Sequence, residues 1–393
     1  MSRPFIPLPL LCAALLFATS LTSCRSGRED RLTPVSFEAV VIDDDFWSDR
    51  LYRHMKFSVP VFVERIESQA APTGDLKSKA LEGIAYSLFL YPDPVLQARL
   101  DGWTAGKAFD GNGEVVEIGQ TFRPDSLSSV GRFLWNFREI LSSGDGKYAD
   151  EMERSLYNGV LAGMSLKGDK FYQRALQGPP DSPVDIFRLI PSIGGFLYAE
   201  SGKALWVNQY MCNEARVSIA GKPVRVQEKT TFPWDGDVAL RLNMDKPVKG
   251  EIRLRVPSWS RDYSLSVNGN MVNDAPMDKG YAVLAREWAD GDEIELILDM
   301  SVRMVAPDPG MKESEGKSAL WRGPLLYCLE EEDNPGVFDS ITLPPDASFA
   351  FSWEPKKLYG LMEIRSGDLT FVPYYASGNR GPGKTLVFIP HED

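Results

Sequence analysis

Apolar residues recur along this chain with two different periods, and the change from one to the other divides it. In "DLKSKALEGIAYSLFLYPDPVLQARL" (residues 75–100), Leu81, Ile84, Ala85 and Leu88 fall at the spacing of one helix face. Pro92 and Pro94 in "YPDP" predict that one helix ends there and another opens. The stretch "SLSSVGRFLWNFREILSSGDGKYADEMERSLYNGVLAGM" (126–164) predicts two more helices, parted by the turn residues of "SSGDGK". Upstream, "VSFEAVVIDDDFWSDRLYRH" (35–54) begins like a strand and continues as a capped helix. Residues 105–123 are Gly-rich and lack helical period, which predicts a loop or a short hairpin.

Beyond Leu205 the pattern becomes alternation. "KPVRVQEKTT", "VALRLNM", "EIRLRVPSW", "YSLSVNG" and "EIELILDMSVRMV" place Val, Ile or Leu at every second position. The turns "WDGD", "VNGN" and "ADGD" lie between them. Short strands at this regular spacing predict an antiparallel β-sandwich. From Ala306 onward, "SALWRGPLLYCLE" and "KTLVFIP" predict a second, smaller β unit. The chain therefore reads as an α+β multidomain protein: a helical domain over 34–204, a β-sandwich over 205–305 and a C-terminal β domain over 306–393.

Length and charge narrow the function. The 393 residues carry a formal charge of -12, which argues against a nucleic-acid partner, since phosphates are met by clusters of Lys and Arg. Only two histidines, His54 and His391, are present, so a His-rich metal site is excluded and no cofactor is expected. At the N-terminus Arg3 precedes the apolar run "FIPLPLLCAALLFATS" and then "LTSC", the layout of a secretory signal over residues 1–23. Small residues before Cys24 resemble a bacterial lipobox. That resemblance implies lipidation at Cys24, a tether over 24–33, and a lipoprotein held at the bacterial cell envelope by acyl chains alone. Cys212 and Cys328 then remain, and their apolar, strand-like settings predict core residues.

The order of helical and β regions, with the phrases "IDDDFWSDRL", "FLWNFREILSSGDGKYADEMERSLYNGVLAGMSLKGDKFY", "PSIGGFLYA", "FPWDGDVALRL", "LRVPSWS" and "LWRGPLLYCLE", resembles glycoside hydrolase family 127, the β-L-arabinofuranosidase-type enzymes. The resemblance implies a catalytic (α/α)6 barrel followed by β-sandwich domains. Family members are longer, and the missing length falls between "LQARLDGW" and "FLWNF", which implies an incomplete barrel. The family's Glu-Thr-Cys metal motif aligns with Asp125, Ser126 and Leu127. Its Cys-Cys-Pro-Pro-Asn run, whose first cysteine is the nucleophile and whose pair holds zinc, aligns with Asp181, Ser182, Pro183, Val184 and Asp185. Glu114 and Glu117 lie in the stretch where the family's acid/base glutamate belongs.

Two readings of these positions are open. Asp181 as nucleophile with Asp125 or Glu114 as acid/base would make a two-carboxylate glycosidase. Alternatively Asp181 and Ser182 are N-cap candidates for the helix that Pro183 opens. Arg188, where the family also has Arg, either binds substrate or forms a salt bridge beneath the site. Trp135 is the aromatic candidate for substrate contact; Trp103, Trp206, Trp234 and Trp259 are further sugar platforms or core residues. The partner is then a carbohydrate, arabinose-containing by resemblance, with activity or glycan binding alone as alternatives. A shortened barrel would also leave apolar surface for a homodimer.

Overall fold

A computed structural model describes residues 31–68, 75–105, 127–172, 179–307, 314–336, 338–344 and 346–391. Its seven α-helices within the described residues are α1 (Trp47–Arg53), α2 (Val59–Glu67), α3 (Asp75–Leu90), α4 (Pro94–Ala105), α5 (Ser129–Ser143), α6 (Gly146–Ser155) and α7 (Pro183–Leu189). Both predicted helix pairs are present, with their breaks at "YPDP" and at Gly144, which takes the left-handed conformation a helix end favours. The amides of Phe46, Trp47 and Ser48 donate to the Asp44 carboxylate, so the "DDD" run caps α1. The predicted loop or hairpin over 105–123, like Cys24 and the signal region, falls outside the described residues apart from Ala105.

The helices divide between two cores. The α2, α3 and α4 helices close over their own apolar cluster, in which Phe62 stacks on Phe187 of α7 with ring centroids 4.0 Å apart. A Cβ on Gly83 would lie 2.6 Å from the Phe187 ring, so glycine is what lets α3 cross α7 this closely. His54 stacks on the same Phe187, and burial pushes its pKa down to about 3, which keeps it neutral. The α1, α5 and α6 helices instead share one continuous core with the β-sheets.

Three sheets follow. A six-stranded sheet runs in the order 33–34, 198–200, 204–207, 248–255, 281–288, 277–278. A seven-stranded sheet runs 270–271, 263–267, 293–298, 237–243, 222–230, 213–219, 40–42. The third, eight-stranded sheet is built from 302–305 and the strands beyond it. Pairing is antiparallel except between 204–207 and 248–255. The first strands of the chain join the first two sheets, Thr33 opposite Glu200 and Val40 opposite Ala215, so the chain ahead of the helices is tied into the β region.

The run "EIELILDMSVRMV" reads as one strand, but residues 293–298 and 302–305 belong to different sheets. The Asp299 carboxylate makes the corner: it accepts from the Ser301 amide at 2.9 Å and the Ser301 hydroxyl at 3.0 Å. Such a side-chain bond offers the backbone an alternative to the ladder, and period alone does not register it.

Inside the β region Glu228 accepts from the Tyr198 hydroxyl (2.7 Å), the Met211 amide (3.0 Å) and the Asn213 amide (3.2 Å). Burial pushes its carboxyl from the usual 4.5 to about 8, against the pull of those donors. A raised folded-state pKa means that the fold holds the proton more tightly than the unfolded chain does. The stability linked to Glu228 is thus full at low pH and declines as pH rises from 4.5 toward 8. The Glu228→Gln variant is expected to gain on the parent between about pH 5 and about pH 8 in denaturant titrations. An offset that stays constant over that range would contradict this.

Candidate functional site

The α5 helix begins just after Leu127, and Asp181 meets its first turn. Ser128 is its N-cap, and its hydroxyl accepts from the Gly131 amide at 3.2 Å. The next free amide, Val130 N, donates to Asp181 Oδ1 at 2.7 Å, across 51 positions of sequence. Asp181 is only 4% exposed. Burial raises its pKa, while the Val130 amide and the hydroxyls of Ser128 and Ser129 pull the other way. Carboxylate at a helix N-terminus faces the positive end of the backbone dipole, so the position suits an acceptor. Asp181 therefore caps a distant helix, α5, whereas the sequence pointed to a cap on α7. Ser182 occupies that α7 position, with Pro183 at the first helical residue and no side-chain bond.

The chain after α6 continues through a widened turn, Leu156–Val160, that presses on this same helix start. A Cβ on Gly159 would come within 2.1 Å of Ser129 Oγ. Next to it Asn158 fastens the third sheet, donating to Pro324 O at 2.9 Å and accepting from the Leu326 amide at 2.8 Å. On α5, burial lowers the Arg132 pKa, the like charge of Arg154 lowers it further, and Asp181 and Glu151 oppose them. Arg154 and Glu151 lie on α6 and approach each other to 3.8 Å.

The inner face of α6 carries a buried charged cluster. Arg255, fully buried at the end of strand 248–255, donates to Asp150 at 2.8 Å, to Glu153, and to Asn208 O at 2.7 Å. Burial works against its charge, but Glu153 and Asp150 outweigh that and hold it firmly protonated. The Trp259 indole donates to Glu153 at 2.8 Å and the Ser258 amide to Asp150 at 3.0 Å, so both carboxylates have further donors. This cluster was missed in the sequence. Its only signal was the charged pair Asp150 and Glu153 on a helix face with Ala149 and Met152, which are fully buried.

The other predicted residues have separate partners. Arg188 is 3% exposed and donates to Glu82 of α3 at 2.7 Å, beside a Lys79–Asp185 pair at 3.2 Å, so it pins α7 to α3. Trp135 is half-exposed and packs edge-on against Tyr148. Leu127 is 67% exposed. Asp125, Ser126, Glu114 and Glu117 lie outside the described residues. Among the described residues no group of three or more His, Cys, Asp or Glu side chains is placed to hold a metal ion. Among the described residues Cys212 and Cys328 form no disulfide, and Cys328 is fully buried.

Three family models match in chain order: the β-L-arabinofuranosidase GH127 catalytic domain over residues 119–183, the GH127 middle domain over 204–300, and the GH127 C-terminal domain over 302–390. Together they span more than half of the chain. The chain belongs to glycoside hydrolase family 127. It is 31% identical over 326 residues to a non-reducing end β-L-arabinofuranosidase of Bifidobacterium longum subsp. longum, a match covering 68% of this chain and 49% of that protein. It is similar to the crystal structure of a GH127 β-L-arabinofuranosidase from Geobacillus stearothermophilus T6, with 32% identity, a TM-score of 0.63, and coverage of 67% of this chain and 49% of that one. The chain thus spans about half the length of these two relatives. The fold of the GH127 β-arabinofuranosidase BT3674 follows it further, at 21% identity and a TM-score of 0.79 over 93% of this chain and 99% of the other.

Within this family 127 scaffold, Glu153→Ala should destabilise the fold by about 3–5 kcal/mol, because it leaves part of a buried guanidinium unmet. Asp181→Ala should cost about 1 kcal/mol, the usual worth of an N-cap. Urea titrations of the two variants test this ranking. An Asp181 variant that matched or exceeded the Glu153 loss would contradict it.

Proposed function

We propose that this chain recognises a carbohydrate on a family 127 scaffold without the family's thiolate and zinc chemistry. The observation that carries this is the environment of Asp181. At the position aligned with the family's nucleophile stands a carboxylate that is buried and hydrogen-bonded to the start of α5. Leu127 offers no donor atom and is turned to solvent, and Ser182 supplies a hydroxyl at the start of α7. Zinc of the family type needs soft thiolate ligands, and the metal in turn keeps them deprotonated. This donor set does not fit it. Attack at an anomeric carbon needs an approachable nucleophile, and Asp181 has little open surface to offer.

Carbohydrate recognition draws its support from family membership and from relatives described as β-L-arabinofuranosidases. We further propose that Cys24 is lipidated and that the mature chain sits at a bacterial envelope, a reading that rests on "LTSC" after the apolar N-terminal run. Changing Cys24→Ala should move the protein from the membrane fraction into the soluble one; a membrane-bound variant with no acyl chain on the parent would contradict the anchor.

The chemical test uses the purified mature chain. Elemental analysis is expected to find no stoichiometric zinc, an aryl β-L-arabinofuranoside to release no L-arabinose, and calorimetry with arabino-oligosaccharides to give saturable binding. Stoichiometric zinc with turnover would overturn the proposal. Turnover without zinc that vanishes in Asp181→Asn would replace it with a two-carboxylate glycosidase.

A further inference from the structure

A cavity of about 300 Å³ opens where α6, the residues after strand 248–255 and the third sheet meet. Its walls include Glu151, Arg154, Trp259, Arg303, Trp321 and Phe388. None of the described positions aligned with the family's cysteines is among its lining residues, although its Glu151 and Arg154 act on Arg132, as Asp181 does. We propose that this junction cavity is a binding site for a short neutral saccharide. The inference rests on the carbohydrate-binding reading above and assigns it a place.

The walls combine what a sugar ring presents. Two indoles, Trp259 and Trp321, stay partly open to the cavity rather than sealed in the core, and an aromatic face packs against the apolar C–H face of a sugar. Each has a guanidinium nearby: Arg154 Cζ lies 5.6 Å from the Trp321 ring centre and Arg303 Cζ 6.0 Å from that of Trp259. Arg303 donates to Gly323 O at 3.0 Å, and among the described residues no carboxylate lies within ion-pairing distance of it. Burial lowers its pKa, helped by the like charge of Arg261 and opposed by Asp299. A partly desolvated guanidinium with unused donors is matched by hydroxyl oxygens.

Charge decides for a neutral ligand. The acids lining the cavity are Asp150, Glu151 and Glu153; Arg154 and Arg303 line it too, and Arg255 lies behind Asp150 and Glu153. The three acids and three arginines cancel. With Arg255 behind the wall to offset the extra acid, the space is faced by both donors and acceptors, and sugar hydroxyls act as both. The volume is at the lower end of small-ligand sites, about 300–1,000 Å³, which suits a short saccharide end rather than a long chain.

The experiment is calorimetry of the intact mature chain with arabino-oligosaccharides and methyl β-L-arabinofuranoside, at low and high salt, on the parent and three variants. Trp321→Ala and Arg303→Gln are each expected to weaken binding by about tenfold, the effect of truncating a central contact. Trp353→Ala, which removes a half-exposed indole outside the cavity, should leave affinity unchanged. Affinity should be indifferent to salt. Urea titration of each variant checks that it is folded, and Arg303→Gln, at a half-buried site, keeps the test open if Trp321→Ala is not. If the parent binds and both cavity variants bind equally well, the cavity assignment is wrong while the carbohydrate reading stands. Loss of affinity for these uncharged sugars at high salt would mean that binding draws on an unbalanced charge in the cavity and would overturn the neutral-saccharide assignment. A folded parent that binds none of these sugars would overturn the carbohydrate reading, and the cavity assignment with it.

Discussion

The buried arginine of the six-stranded sheet is the constraint on which the rest of the structure depends. Arg255 cannot shed its proton, so burying it requires carboxylates close by, and Asp150 and Glu153 of α6 supply them. That requirement fixes α6 in azimuth and height against the β-sandwich. Everything attached to α6 is then placed. Asn158, in the turn that follows, holds the third sheet through Pro324 and Leu326, and Gly159 sets the start of α5. The start of α5 is in turn where Asp181 docks. One charged cluster thus positions the domain junction, its cavity and the helix start that Asp181 caps.

This linkage explains why a carboxylate is compatible with the fold at position 181. The first amides of a helix need acceptors, and a buried helix start that lacks them is unstable. Asp181 provides one, and the hydroxyls of Ser128 and Ser129 soften the cost of burying it. The same arrangement limits what the carboxylate can do elsewhere. Its hydrogen bond to Val130 and its burial serve the scaffold, while the open, amphipathic surface lies at the junction cavity, which Asp181 does not line.

Much of the architecture was legible in the sequence because it follows from local period and turn chemistry. The helix breaks at Pro92–Pro94 and at Gly144, and the strands 222–230, 237–243, 248–255, 263–267 and 293–298, fall where spacing placed them, whereas the strand 281–288 was not read from the sequence. The split of "EIELILDMSVRMV" was not legible, since the corner depends on two hydrogen bonds that the Asp299 carboxylate accepts from Ser301 rather than on pattern. At the site, sequence brought attention to Asp181, Arg188 and Trp135 but could not say what each touches. Asp181 meets a helix 51 positions away, Arg188 meets Glu82, and Trp135 meets Tyr148. The Arg255 cluster and Trp321 went unnoticed because long-range charge pairing and cavity walls leave no periodic trace. Asp125 and the upstream glutamates fall outside the described residues, so their relation to Asp181 rests on the sequence alone.

The central claim is that Asp181 serves the scaffold and forms no bond to sugar. The most direct measurement is mass spectrometry of the intact chain and of the peptide containing Asp181, after incubation with an activated aryl β-L-arabinofuranoside and rapid acid quenching. The account predicts an unmodified mass at every time point. A glycosyl adduct on Asp181, absent in Asp181→Asn, would contradict it.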